Sequence, residues 1–299
     1  MRVALTGATG IVGRFIAARL AAEGCDIVAL ARPESDRTGF DFPVTWIEGN
    51  LNTEAAPDTL VEGADALVHS AYDHLPGHYR GGEGNDVEGY WQTNLLGSLR
   101  LVHDAKTNNV GRVVVLSSRA VFGGPVSTRV GDRHPTSPDT HYGALKVALE
   151  ALATVYPGTT CIRPTGVYGI THPLDRSKWF DMARAVTSGR PVSVARTSTE
   201  VHGDDVAAAV WLLLNAPEED VSGRAFNCSD LVLGTREIAQ RMYAAQGVAA
   251  GSLPLPREMP PPDHIMRCDG LRSLGWRPGG RRRLNATIRA LLYAVQRLD

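Results

Sequence analysis

An excess of either charge is missing from this chain. Its 299 residues carry 31 Lys+Arg against 32 Asp+Glu, a formal net charge of −1. A protein that grips nucleic acid through its phosphates would show a basic excess, so a polyanion partner is not expected. Cysteine is scarce: Cys25, Cys161, Cys228 and Cys268 stand far apart, and none forms a Cys-x-x-Cys pair. That spacing argues against a disulfide framework and against a structural zinc site, so no metal is expected. No apolar run reaches the roughly 18 residues of a membrane span. The apolar run at the N-terminus, Val3-Ala4-Leu5, is too short for a secretory signal. The expectation is a soluble, cytoplasmic protein that meets neither membrane nor nucleic acid.

What is present points to an ordered core. Apolar residues make up 43% of the chain and charged residues 21%, which excludes an acidic disordered chain. The length predicts one or two domains. In the first half, short apolar runs of strand length alternate with amphipathic stretches. The runs are Arg2–Thr6, Asp26–Ala31, Val44–Glu48, Asp65–Ser70, Arg112–Ser117 and Thr159–Pro164. Helices are expected at Ile11–Ala22, Val87–Thr107 and His141–Val155. Continuous apolar strands alternating with helices predict an α/β fold, a doubly wound Rossmann-type parallel sheet covered on both faces. The second half is less regular, with helices expected at Ser177–Ser188, Asp204–Leu214, Gly234–Gln246 and Leu284–Leu298. A Pro-rich connection runs from Leu253 to Pro262, and Gly77–Gly89 reads as a mobile loop. The domain expectation is an NAD(P)-binding unit over 1–165, with segments returning near 191–230, and a smaller substrate-binding subdomain over 166–299.

Gly7, Gly10 and Gly13 follow the first strand and open the first helix. In that context the first glycine permits a tight turn, the second lets backbone N–H groups approach a pyrophosphate, and the third lets helix and sheet pack closely. The helix N-terminus adds partial positive charge for the phosphates. At the end of the second strand an acid would grip the ribose 2′-OH of NAD, whereas an Arg accommodates the 2′-phosphate of NADP. Ala31 runs into Arg32 there, and Arg37 is a second candidate contact. NADP(H) is therefore expected over NAD(H).

Tyr142 and Lys146 are four residues apart, on one face of an expected helix. A tyrosine of pKa near 10 is a poor proton carrier at neutral pH, and a nearby cation favours its phenolate. Ser117-Ser118 ends the fifth strand, where a doubly wound fold carries its ligand crevice.

Taken together these residues resemble the extended short-chain dehydrogenase/reductase family, also called the NAD-dependent epimerase/dehydratase family. The matching segments are Thr6–Gly13, Val68–Ala71, Thr93–Gly97, Ser117–Gly123, Tyr142-x-x-x-Lys146, Arg163–Gly169, His202–Ala207 and Leu274–Pro278, in order along nearly the whole chain. The resemblance implies that Ser118, five residues before Gly123, orients the substrate, that Tyr142 is the general acid–base, and that Lys146 holds the nicotinamide ribose and lowers the Tyr142 pKa. It further implies cofactor contacts from Gly7, Thr9, Gly10, Ile11, Gly13, Arg32, Asn50, Leu51, His69, Ser70, Ala71, Asn94, Pro164 and Val167. Gly49-Asn50-Leu51 departs from the family's Gly-Asp-Leu at an adenine contact, but Asn50 can still donate and accept. Asn94 reads as structural or as part of a proton path. His69 reads as shaping the cofactor cleft. Relatives often dimerise through the helices that here hold Asn94 and Tyr142, so a homodimer is expected.

The family holds oxidoreductases, epimerases and dehydratases, so membership leaves the reaction open. Arg119-Ala120 stands where dehydratases often carry an acidic pair. Around Thr165, and in Thr199-Glu200-Val201 ahead of His202, the chain lacks an Asn and an Arg common in nucleotide-sugar enzymes. These departures favour an NADP(H)-dependent oxidoreductase acting on a small carbonyl or alcohol by hydride transfer. The alternatives are an epimerase of a sugar or nucleotide-sugar and a non-catalytic NADP(H)-binding regulator. Substrate contacts are expected from Ser118, Arg119, Thr165, His172 and Arg176, with Lys178 a further cation that could favour an anionic small molecule. Asp204 and Asp205 read as helix caps, Arg281-Arg282-Arg283 as a solvated lead-in to the last helix, and Trp179-Phe180 as core.

Overall fold

The computed structural model describes residues 1–52, 56–75, 77–78, 81–124, 129–249, 251–263 and 265–298. The apolar runs become strands β1 (Arg2–Thr6), β2 (Asp26–Ala31), β3 (Thr45–Glu48), β4 (Ala66–His69), β5 (Arg112–Leu116) and β6 (Thr159–Pro164). Four further strands follow, β7 (Gly166–Tyr168), β8 (Thr197–His202), β9 (Ala225–Cys228) and β10 (Leu231–Gly234). The main sheet has the order β3-β2-β1-β4-β5-β6-β9, every neighbouring pair parallel. Its order reverses direction beside β1, the kind of place where doubly wound folds open a ligand crevice. A second sheet, β10-β8-β7, pairs β7 parallel and β10 antiparallel to β8.

The helices are α1 (Ile11–Ala22), α2 (Ala56–Val61), α3 (Val87–Trp91), α4 (Gly97–Thr107), α5 (His141–Val155), α6 (Phe180–Thr187), α7 (Gly203–Asn215), α8 (Glu218–Val221), α9 (Thr235–Ala245), α10 (Asp269–Ser273) and α11 (Gly280–Gln296). Each strand of the main sheet sends alternate side chains to opposite faces, and both faces are covered. Val3 and Leu5 meet α1 and α7, while Ala4 meets the layer that holds Leu101, Leu145 and Leu149 of α4 and α5. A third core packs α6, α9 and α11 around Tyr168 and Leu233 beside the second sheet. Burying one such Leu or Val side chain contributes about 1.5–3 kcal/mol, which is why the period of the apolar residues settles the layers.

Several local expectations are corrected. The long helix expected from Val87 to Thr107 is interrupted: α3 and α4 are joined by a π-helical turn, Gln92–Leu96. The helix expected from Ser177 begins only at Phe180, because Trp179 takes a left-handed φ of +69° and stacks on Tyr168. Asp204 and Asp205 are not the caps of α7. His202 caps it, its Nδ1 accepting from the Asp204 N–H at 3.0 Å, and the two acids lie inside the first turn. The last helix starts early, so Arg281, Arg282 and Arg283 belong to its first turn. Arg281 bonds Glu237, and Arg283 pairs with Asp204 and Asp205, which hold the basic turn in place. Of the stretch Gly77–Gly89, residues 87–89 are helical with Asp86 as cap, and residues 79 and 80 lie outside the described residues. No described helix is long and apolar enough to cross a membrane. Among the described residues no cluster of His, Cys, Asp and Glu could hold a metal ion.

Candidate active site

The Gly-rich turn sits at the carboxyl end of β1. Gly7 adopts a φ of +72°, and a Cβ on Gly13 would lie 1.9 Å from the Gly7 carbonyl oxygen, so α1 starts directly against the turn. The Gly10 N–H donates to the Gly7 carbonyl at 3.0 Å. Gly10 is the N-cap of α1 and brings no side chain to its first N–H groups, which fits the binding of a pyrophosphate there. Thr9 and Ile11 flank it, half-buried. The Thr6 hydroxyl accepts the N–H groups of Ser70 and Ala71 at 3.2 and 3.1 Å and contacts His69 Nδ1 at 2.7 Å. One side chain thus clamps the end of β4 to the turn.

His69 is buried and its Nε2 meets the Ser98 hydroxyl at 2.8 Å. Burial, with Lys146 nearby, pushes its pKa down to about 3, so the ring is neutral and serves as a hydrogen-bonding strut. Asn94 lies in the π-helical turn. Its side-chain oxygen accepts from the Asp73 N–H at 2.8 Å, and its amide donates to the carbonyls of Asp73 and Tyr90, both at 2.9 Å. π-Helical turns recur at functional sites, and this one aims Asn94 at the segment following β4.

At the β2 end, Arg32 follows the strand directly. It bridges Glu34 and Asp73, each at 3.2 Å, with about half of its side chain exposed. Arg37 pairs with Glu48 at 3.2 Å over the Trp46 ring. The loop between them is tied down by Arg14, a buried cation on α1 that donates to the carbonyls of Thr38 and Asp36 at 2.6 and 2.7 Å. The role of Arg14 was not foreseen from the sequence, although a cation in the apolar run of α1 is its signal. Asn50 is exposed, and its side-chain oxygen accepts the Asn52 N–H at 2.7 Å. Leu51 abuts Gly97 at the start of α4.

Ser118, Tyr142 and Lys146, the residues expected to react, come together where α5 packs on the carboxyl ends of β5 and β6. Ser118 caps a 3-10 turn, Arg119–Phe122, its hydroxyl oxygen accepting from the Ala120 N–H at 3.1 Å. That bond leaves its own O–H to donate. Gly143 lies against this turn: a Cβ there would stand 2.5 Å from the Ala120 carbonyl oxygen. The contact brings Tyr142 beside the Ser118 segment. Lys146 is 4% exposed, donates to the Leu116 carbonyl at 2.9 Å, and holds its ammonium 5.8 Å from the centre of the Tyr142 ring. Burial pushes the Lys146 pKa down to about 8, opposed by Cys161 and Glu150. Ser117 turns inward and donates to Glu150 at 2.5 Å, and Arg163 forks onto the same carboxylate at 2.7 and 2.6 Å.

The expected substrate cations are not gathered in one place. His172 meets the Thr38 hydroxyl at 2.6 Å and Asp36 at 3.7 Å, in the loop after β2. Lys178 is neutralised by the buried Glu200 at 2.5 Å. Arg176 is exposed, and Arg119 is half-buried in the turn after Ser118. Thr165 contacts the Ser229 hydroxyl at 3.4 Å, past Pro164 at the end of β6, and Val167 packs on the core through β7. Tyr72 was not singled out by sequence reasoning, yet its ring centre lies 5.0 Å from that of Tyr142. Its signal is an aromatic residue three places past the carboxyl end of a central strand.

The model of the NAD dependent epimerase/dehydratase family matches residues 3–229. Among curated proteins, the chain is similar to the UDP-glucose 4-epimerase of Corynebacterium glutamicum, 28% identical over 158 residues, covering 52% of this chain and 46% of that protein. It is also similar to the 2-alkyl-3-oxoalkanoate reductase of Stenotrophomonas maltophilia, 26% identical over 265 residues, covering 83% of this chain and 76% of that protein. The chain spans about half the length of the curated epimerases it matches. Among solved structures, the UDP-glucose 4-epimerase of Thermotoga maritima with UDP-glucose superposes with a TM-score of 0.82 at 16% identity, over 100% of both chains. MoeE5 in complex with UDP-glucuronic acid and NAD does so at 0.78 and 23%, covering 98% of this chain and 99% of that one. At such identities the likeness shows the Rossmann fold.

Proposed function

The chain belongs to the NAD dependent epimerase/dehydratase family, and on that premise we propose that it is an NADP(H)-dependent oxidoreductase of a small carbonyl or alcohol. The observation that carries this reading is the packing of Tyr142 and Lys146 on the Ser118 turn, at the strand ends beside the Gly-rich turn. Gly7, Gly10, Gly13 and the start of α1 would hold the pyrophosphate, Asn50 and Leu51 the adenine side, and Ser70, Ala71, Pro164 and Val167 the nicotinamide side. Arg32 would take the 2′-phosphate. When bound, the cofactor supplies or accepts the hydride.

The chain's own groups handle the proton. Ser118 donates its hydroxyl hydrogen to the substrate oxygen and fixes its position. Tyr142 gives its phenolic proton to that oxygen in reduction and takes it back in oxidation. The Lys146 ammonium favours the phenolate and so brings the Tyr142 pKa toward working pH. The second sheet with α6, α9 and α11 is read as the substrate-binding unit. Leu96 in the turn before α4, Leu99 on α4 and Val155 on α5 are exposed and would be covered in a homodimer.

The reductase relative supports this reading, because it aligns across 83% of the chain whereas the epimerases align across about half. The second reading is a nucleotide-sugar epimerase, favoured by the epimerase names among the relatives. The deciding experiment assays small aldehydes, ketones and alcohols with NADPH and NADP, beside UDP-glucose epimerisation. Tyr142→Phe should lose turnover about 10²–10⁴-fold while keeping cofactor affinity. Retained turnover would remove Tyr142 from the mechanism, and epimerisation without net cofactor turnover would favour the second reading.

A further inference from the structure

Tyr72 is placed as part of the reactive centre. It follows β4 at the third residue past His69 and turns its ring onto the pair on α5. The Lys146 ammonium lies 5.3 Å from the Tyr72 ring centre and 5.8 Å from that of Tyr142, with the Leu116 carbonyl as its hydrogen-bond acceptor. The Tyr72 ring is fixed in turn. It stacks parallel to His74 at 4.7 Å, and its hydroxyl meets the Tyr90 hydroxyl at 3.2 Å. The next residue, Asp73, is gripped on both its N–H and its carbonyl by Asn94.

From this geometry we infer that Tyr72 is a positioning residue, whose ring holds the Lys146 ammonium in its charged form against the Tyr142 ring. The inference rests on the reading of Tyr142 and Lys146 as the reactive pair. A cation in a nearly water-free site needs compensation. Its direct hydrogen bond goes to a neutral carbonyl, and the face of an aromatic ring attracts a cation best where water is excluded. Other groups act on Lys146 as well. Tyr142 and Glu150 face it from its own helix, His69 from β4, and Cys161 from β6, where Arg163 is already committed to Glu150. His69 is neutral and adds no charge. Burial and the Tyr90 contact hold the Tyr72 phenol well above the usual tyrosine range, so Tyr72 does not compete with Tyr142 for ionisation. With the ring gone, Lys146 would lose its proton more readily, and the Tyr142 phenolate would lose its counter-charge.

The direct test needs no substrate. Tyrosinate absorbance is titrated in the wild type, Tyr72→Phe, Tyr72→Leu and Tyr72→Met, each with and without Tyr142→Phe, so that the difference isolates Tyr142. Unfolding temperature and cofactor affinity confirm that each variant is folded. The wild type and Tyr72→Phe, which keeps the ring, should ionise Tyr142 below the ordinary value near 10. In Tyr72→Leu and Tyr72→Met the midpoint should rise, leaving about three- to tenfold less phenolate at a given pH. The pH profile of kcat for alcohol oxidation should move the same way with KM little changed. A lowered wild-type midpoint that stays put in both ring-free variants would overturn this inference alone. An ordinary wild-type midpoint would overturn it together with the reading of the reactive pair.

Discussion

Removing the carboxylate of Glu150 should destabilise the protein strongly. Glu150 and Arg163 form an ion pair with side chains only 11% and 6% exposed. Three donors converge on the carboxylate: Arg163 Nε at 2.7 Å, Arg163 Nη2 at 2.6 Å and the Ser117 hydroxyl at 2.5 Å. The remaining Arg163 nitrogen donates to the Asp132 carbonyl at 2.8 Å, and the guanidinium lies 5.0 Å from the Phe122 ring centre. Glu150→Ala would strand this cation where water hardly reaches. Breaking one side of a buried pair costs about 3–5 kcal/mol, and a forked Arg–carboxylate contact belongs at the strong end. Water entering the vacated space would return part of that, so a loss of about 3–4 kcal/mol is expected. Such a loss is a large fraction of the roughly 5–15 kcal/mol that holds a protein folded. The double variant Glu150→Leu/Arg163→Met removes both charges, and should cost less than Glu150→Ala alone. Urea unfolding of the wild type, both single variants and the double variant measures this. A loss below about 1 kcal/mol for Glu150→Ala, or additive single effects, would refute the argument.

Three further expectations follow from the same geometry. Arg32→Asp should lower kcat/KM with NADPH about ten- to a hundredfold while changing NADH little, because the bridges of Arg32 to Glu34 and Asp73 are half-exposed and easily exchanged for a phosphate; a wild type that prefers NADH would contradict it. His69 takes a proton near pH 6.5 when unfolded but only near pH 3 when folded, so the unfolded state binds more protons between those values and stability, full above 6.5, is lost as pH falls through that window. The loss reaches roughly 5 kcal/mol at most, and thermal unfolding of His69→Gln against pH should show a flatter acid limb than the wild type. Gly13→Ala places a Cβ 1.9 Å from the Gly7 carbonyl oxygen and should cost about 1–3 kcal/mol together with cofactor affinity. Gly10→Ala, whose Cβ would meet that oxygen at 3.2 Å, should keep more of its stability in the same unfolding experiment.

How far the sequence could be read depended on how local the determining physics was. β1, β2, β6, α1 and α5 match their expected bounds because apolar period and chain punctuation are local signals. β7 is only three residues long, β9 and β10 four, and such runs carry too little periodicity to stand out. The π-helical turn at Gln92–Leu96 was invisible because nothing in Gln-Thr-Asn-Leu-Leu demands it; Asn94 is held there by Asp73, 21 residues away. The Tyr142–Lys146 pair was legible from its spacing, while Tyr72 reaches that pair only through the fold. The side chains of His172 and Lys178 looked available in sequence because their partners, Asp36 and Glu200, are distant along the chain.

The near-neutral charge of the chain takes on a different meaning at the site. Arg14 is committed to the Asp36 loop, Lys178 to Glu200 and Arg163 to Glu150. Each is a cation consumed by a carboxylate that the fold brings to it. Lys146 is arranged otherwise. The carboxylate one turn along its helix, Glu150, spends its oxygens on Arg163 and Ser117. Its attraction therefore reaches Lys146 through space and not as a direct bond, which raises the ammonium's stability without neutralising it. A direct Lys–Glu pair would cancel the field felt by the phenol, and a lysine with no carboxylate near would shed its proton in so dry a place. Under the proposed function, placing Arg163 between these outcomes leaves Lys146 charged and its charge directed at Tyr142.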